Sequence, residues 1–103
     1  MPFLSLEDVP EVERRAGWRG RTFHSPSMTF AHWSFTAGAD IHEHEHPQEE
    51  VWHVLEGRLE VTVGGETQVA GPGMVAIVPA GVIHSVRALT DGKAIVVDWP
   101  LRE

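Results

Sequence analysis

Apolar residues come in short alternating runs along this chain. Leu59, Val61 and Val63 alternate with Arg58, Glu60 and Thr62, a period of two that turns one face inward and the other toward water. From Trp18 onward such runs recur between glycines, prolines and acidic residues, and none sustains the longer period of an amphipathic helix. The pattern predicts eight strands, over 19–24, 28–36, 50–55, 58–63, 66–70, 74–78, 84–88 and 93–98. Val63-Gly64-Gly65-Glu66 reads as a tight hairpin, because two glycines accept the positive φ angles of a two-residue turn. Val54, Leu59, Val61, Val75 and Ile77 read as core, and Trp18 and Trp33 as packing residues. Before Trp18, Ser5 with an acid three positions on suggests a helix start, which Pro10 limits to a turn or two. The expected architecture is all-β, a sandwich or small barrel; closure favours the barrel, because it removes exposed edges.

With 103 residues, the chain has room for one domain, spanning 1–103 with an N-terminal arm over 1–17 and a barrel over about 18–99. Fifteen acidic against eight basic side chains give a net charge of −7, which argues against nucleic acid or an anionic membrane as partner. The absence of cysteine excludes disulfides, thiolate metal sites and cysteine nucleophiles. The longest apolar stretch, 74–83, is broken by Pro79 and Gly81 and is far shorter than the ~20 residues of a membrane span. No secretory signal pattern opens the chain, so a cytoplasmic location is the expectation.

Four of the seven histidines fall between His42 and His53. In an extended strand, His44 and His46 of the run Ile41-His42-Glu43-His44-Glu45-His46-Pro47 point to the same side. Glu50 follows after a short turn, and Pro79-Ala80-Gly81-Val82-Ile83-His84 delivers a further imidazole at the start of a late strand. Three imidazoles and a carboxylate suit one divalent transition metal ion (Mn, Fe, Ni, Co, Cu or Zn), with two positions of a six-coordinate ion left open.

At these residues the chain resembles the cupins. Gly38, His44-x-His46, Glu50 and Gly57 match the first cupin motif without a gap; Gly73, Pro79-x-Gly81 and His84 match the second, with Ala88 where asparagine is expected. The resemblance implies a double-stranded β-helix, a conical jelly roll, with His44, His46, Glu50 and His84 as metal ligands. It gives His42 no ligand role, and the strand parity turns His53 outward. Trp52, two residues after Glu50, should point inward as an apolar wall.

The fold alone selects no reaction. The run from Ala94 to Arg102 carries Asp98 at a strand end and Arg102 just beyond. If Val96 faces the interior, so does Asp98, placing a general acid or base near the ion, while Arg102 can grip a substrate carboxylate. The whole looks most like the small pectin-degradation cupins, which ketonise an unsaturated uronate. Against that family, Glu50 stands where glutamine is frequent, and alignment on Arg102 puts Val96 at the catalytic aspartate position. Metal-assisted isomerisation of a small acidic or sugar-derived molecule is the leading expectation. An Fe- or Mn-dependent dioxygenase and a non-catalytic small-molecule binding module are the alternatives. Four tryptophans and an outward-turned 52–54 region in so small a barrel suggest a homodimer, with the N-terminal segment packed on a partner sheet.

Overall fold

The computed structural model describes residues 2–102. After a three-residue 3₁₀ turn, Leu6–Asp8, ten strands follow: β1 Val12–Arg15, β2 Trp18–His24, β3 Thr29–Phe35, β4 Asp40–His44 and β5 Glu49–Glu56, then β6 Leu59–Val63, β7 Glu66–Ala70, β8 Val75–Val78, β9 His84–Ala88 and β10 Gly92–Trp99. Ser5 takes the N-cap position of the turn as expected, but its side chain makes no capping bond. Two antiparallel sheets result, one of order β1-β2-β3-β10-β5-β8 and the other of order β4-β9-β6-β7. This is the all-β jelly roll. Edges survive at β1, β8, β4 and β7, so the edge-free closure that favoured a barrel is not how the fold works.

The alternating pattern translates directly into burial. Leu59 and Val61 of β6, Trp52 and Val54 of β5, and Ala94 and Val96 of β10 point between the sheets, where they meet Trp18 and Phe35. Trp18 is wholly buried and sets its edge against Trp52 at 5.9 Å between ring centroids, an arrangement that suits the ring quadrupoles. Trp52 and Val54 are therefore interior, and within 52–54 only His53 faces out, contrary to the outward-turned apolar region expected there.

Two further differences concern the strands. Val75 and Ile77, expected in the core, are 51% and 61% exposed, while Val78 is buried. β8 is an edge strand, and its inward positions are Ala76 and Val78. The arm also carries a strand that the pattern does not predict: β1 pairs antiparallel with β2 of its own chain.

The hairpin between β6 and β7 forms as predicted, with φ of 55° at Gly64 and 86° at Gly65. Gly57 serves a more demanding turn. Its φ is +79°, and a Cβ there would run into the Asp91 carbonyl and come within 2.9 Å of the Gly92 Cα. Gly38 has φ +88° but nothing within 4 Å of that position. Both glycines belong to the first motif, yet their burdens differ. Gly57→Ala is expected to cost about 2–4 kcal/mol, strain plus clash, and Gly38→Ala about 1 kcal/mol from strain alone. Urea denaturation of the two variants checks this, and equal losses would show that the close approach at Gly57 is not a constraint.

Candidate metal centre

His44 and His84 face one another across the β4–β9 ladder, with ring centroids 4.2 Å apart. β4 is irregular between Ile41 and His44, where three steps on β4 match two on β9; such a bulge re-aims the side chains beyond it. His46 lies past the end of β4, so strand alternation is not what brings it in. A pinned turn does so instead. The Gly81 N–H donates to the His46 carbonyl at 2.9 Å, tying the Pro79–Gly81 turn to the segment that carries His46. Glu50 enters from β5 of the other sheet, directly across the ladder from Asp98 of β10.

The ring nitrogens then follow a common rule. Nδ1 of His44 lies 2.8 Å from the His42 carbonyl, Nδ1 of His46 lies 3.1 Å from that of Gln48, and Nδ1 of His84 lies 2.8 Å from that of Val82. A carbonyl only accepts, so each Nδ1 carries a proton, and a neutral ring then presents its lone pair at Nε2. Ligand atoms of His44, His46, Glu50 and His84 all lie within 4.8 Å of one another. Nε2 of His46 is 2.6 Å from Glu50 Oε2, and Nε2 of His84 is 3.3 Å from the same oxygen. Lone pairs and an anionic oxygen this close repel unless a proton or cation lies among them. A proton serves one imidazole, but His84 Nε2 stays buried without an aligned hydrogen-bond partner. One divalent transition ion satisfies all four donors together, so the residues fit the group.

Glu50 is 3% exposed, and its other oxygen is occupied: Trp52 Nε1 donates to Oε1 at 2.7 Å. The carboxylate is thereby set to offer a single oxygen to an ion. Burial alone would raise the Glu50 pKa, but the close approach of the His84 ring, the charges of His46 and His84 and the Trp52 N–H hold it down at about 2. At His84 burial pulls the pKa down, yet the Glu50 carboxylate and the Val82 carbonyl leave it raised. His44 is lowered, chiefly by burial. Trp52 thus does more than wall the cavity, a role the sequence cannot separate from packing.

Above the cluster opens a cavity of about 780 Å³, walled by Trp18, Trp33, Trp52, Ile41 and Val96. Val96 faces inward, and Asp98 shares its side as the strand parity requires. Burial and repulsion from Glu50 push Asp98 up to about 7 despite the nearby Arg102 guanidinium, and its Oδ1 is buried without a partner. Arg102 Nη1 lies 3.8 Å from Asp98 and 3.9 Å from Glu50. Its backbone N–H donates to Thr29 Oγ1 at 2.8 Å, which fixes the end of the chain against β3. His42 lines the cavity together with Arg14 and Arg15, two residues that the sequence pattern does not single out.

Two facing antiparallel sheets that carry three imidazoles and one carboxylate to a single interior point define a jelly roll with a candidate metal centre. The chain belongs to the cupin family: the Cupin domain model matches residues 31–100. Polyketide synthase CurC of Streptomyces cyaneus is 35% identical over 99 residues, covering 87% of this chain and 64% of CurC, so the chain spans less than two thirds of that relative. An RmlC-like cupin from Shewanella frigidimarina superposes with a TM-score of 0.93 at 26% identity, over all of this chain and 94% of the other. KdgF from Halomonas sp. has the same fold, with a TM-score of 0.91 at 24% identity over 100% and 96% of the two chains.

Two outcomes are expected. Trp52→Phe keeps an aromatic side chain but removes the N–H, and should weaken divalent metal uptake about 10- to 100-fold. Equilibrium competition with a chelator measures it, and unchanged affinity would mean that Glu50 needs no such support. Metal affinity should also fall as pH drops, starting above the ordinary imidazole range because His84 is raised, since protons and ion compete for the same Nε2 atoms. Glu50, ionised down to about 2, should add nothing to that dependence. Titrations between pH 5 and 8 test the sign, which a pH-independent affinity contradicts.

Proposed function

We propose that this cupin is a metal-dependent isomerase that moves a proton at a carbon next to a carbonyl in a small acidic or sugar-derived molecule. The observation behind this reading is Asp98. Its carboxyl is buried beside the ligand cluster with one oxygen unpartnered, placed to give or take a proton at a substrate held there. His44, His46, Glu50 and His84 would hold a divalent ion, which would supply Lewis acidity. Asp98 delivers a proton to carbon and the enol oxygen releases one, which returns the Asp98 carboxylate to its acid form; C=C–OH becomes HC–C=O and the proton count is unchanged. Arg102, its backbone pinned by Thr29, orients the substrate carboxylate and keeps Asp98 from drifting. Trp18, Trp33 and Trp52 exclude water from the reacting atoms.

The 4,5-unsaturated uronate of the pectin-degradation cupins is the first substrate to offer, because ring opening gives an enol that must ketonise. The tryptophan-walled cavity and the similarity to CurC support a second substrate for the same proton transfer, a small polyketone with a methylene between two carbonyls.

Metal-loaded protein should speed loss of the conjugated uronate absorbance, or deuterium exchange into a β-diketone, beyond buffer with free metal. Asp98→Asn should lower either rate about 10²- to 10⁴-fold at unchanged metal content. Oxygen consumption should stay at background. Inactivity on both substrates, or full activity in the variant, would remove this assignment; substrate-dependent oxygen uptake would replace it with an oxygenase.

A further inference from the structure

β1 is built so that its two arginines share one destination. Glu13 pairs with Arg19 and Arg15 with Trp18, so Arg14 is an extra residue in the strand. Strict alternation would send neighbours to opposite faces. Across this bulge, Arg14 and Arg15 both line the cavity, as side chains re-aimed by bulges beside functional sites do. Arg15 Nη2 donates to His42 Nδ1 at 3.1 Å. A guanidinium only donates, so His42 carries its proton on Nε2 and remains a donor.

The charge pattern points the same way. Arg19 and Arg21 lie within 4.0 Å of Glu11, whereas among the described residues neither Arg14 nor Arg15 has a carboxylate within that distance. A chain with a net charge of −7 thus places three of its eight basic residues, Arg14, Arg15 and Arg102, around one cavity. Glu45, Glu50 and Asp98 line it too, and with a divalent ion at the floor the balance there is positive. Arg102 stands beside Asp98 and Glu50, at the metal-facing end of a substrate; the β1 pair is left for the other end.

We infer that Arg14, Arg15 and His42 form an anion subsite at the cavity rim, which grips a carboxylate or phosphate group carried by the ligand away from its metal-facing end. The ligand class is then a small molecule with two anchoring ends, one facing the ion and an anionic one facing β1. The inference rests on the metal-dependent reading for the first end only, since the rim needs no ion to assemble.

The test compares valerate, glutarate and the phosphonate counterpart of glutarate, each with its homologues one and two methylenes longer. Tryptophan fluorescence of the metal-loaded full chain reports binding, because three tryptophans wall the cavity. At least one doubly anionic probe should bind about tenfold tighter than the monoacid of equal length, the gain of one charge-assisted fork. Which of glutarate and phosphonate gains more identifies the anionic group. In Arg14→Gln/Arg15→Gln, on an exposed strand, the preference should shrink below about twofold with monoacid affinity unchanged. Arg58→Gln, outside the cavity, should retain the preference. A wild-type protein that binds both classes alike, or neither, overturns the inference, as does a preference that survives the double variant. Metal content of the same samples reads the ion site separately, so a filled site with no anion preference sinks the rim alone.

Discussion

The structure turns on a buried carboxylate that must be surrounded. Glu50 sits at 3% exposure between two sheets, where an unpaired charge would cost several kcal/mol. Trp52 takes one oxygen, and His46 and His84 approach the other. The three imidazoles are in turn fixed by backbone carbonyls at Nδ1, which leaves only Nε2 to face the carboxylate. Once ring orientation is set in this way, four donors converge with little freedom to disperse. Such an arrangement is preorganised for a cation before any cation arrives.

The two-sheet fold makes that convergence possible from distant parts of the chain. His44 and His84 come from the smaller sheet, Glu50 and Asp98 from the larger, and His46 from the turn that connects them. The bond from Gly81 to the His46 carbonyl joins the two turns, so neither half of the cluster is placed independently. The same construction leaves a cavity over the cluster, with tryptophans and charges of both signs in its lining. Asp98 and Glu50, neighbours across a ladder, are driven in opposite directions: histidines and an indole hold one ionised, while burial and that very charge push the other up to about 7. Two carboxylates with separated proton affinities at one site are a recurring requirement of acid–base chemistry.

Much of this was legible in the residues themselves. The period of two in 58–63 shows which side of β6 is buried, and the same argument ties Asp98 to the side of Val96, which the structure turns inward. The spacing of histidines, Glu50 and turn glycines picked out the four residues that the fold assembles. Elsewhere the signal was missing for identifiable reasons. Every residue from Met74 to Val78 is apolar, so no alternation reveals that Val75 and Ile77 face outward. β1 reads Val-Glu-Arg-Arg, with no apolar partner to set a period, and its bulge depends on pairing with β2. At His46 strand parity points to the right residue for the wrong geometric reason, because a turn can mimic the parity of a strand. An inward tryptophan looks the same in sequence whether its N–H is idle or bonded to Glu50.

The most direct examination of the account is anomalous diffraction from crystals of the protein loaded with manganese or nickel. A single peak within ~2.0–2.3 Å of His44 Nε2, His46 Nε2, His84 Nε2 and one oxygen of Glu50, with Trp52 still bonded to the other oxygen, is the expected result. A peak elsewhere, or an ion held by water with the imidazoles turned away, would contradict it.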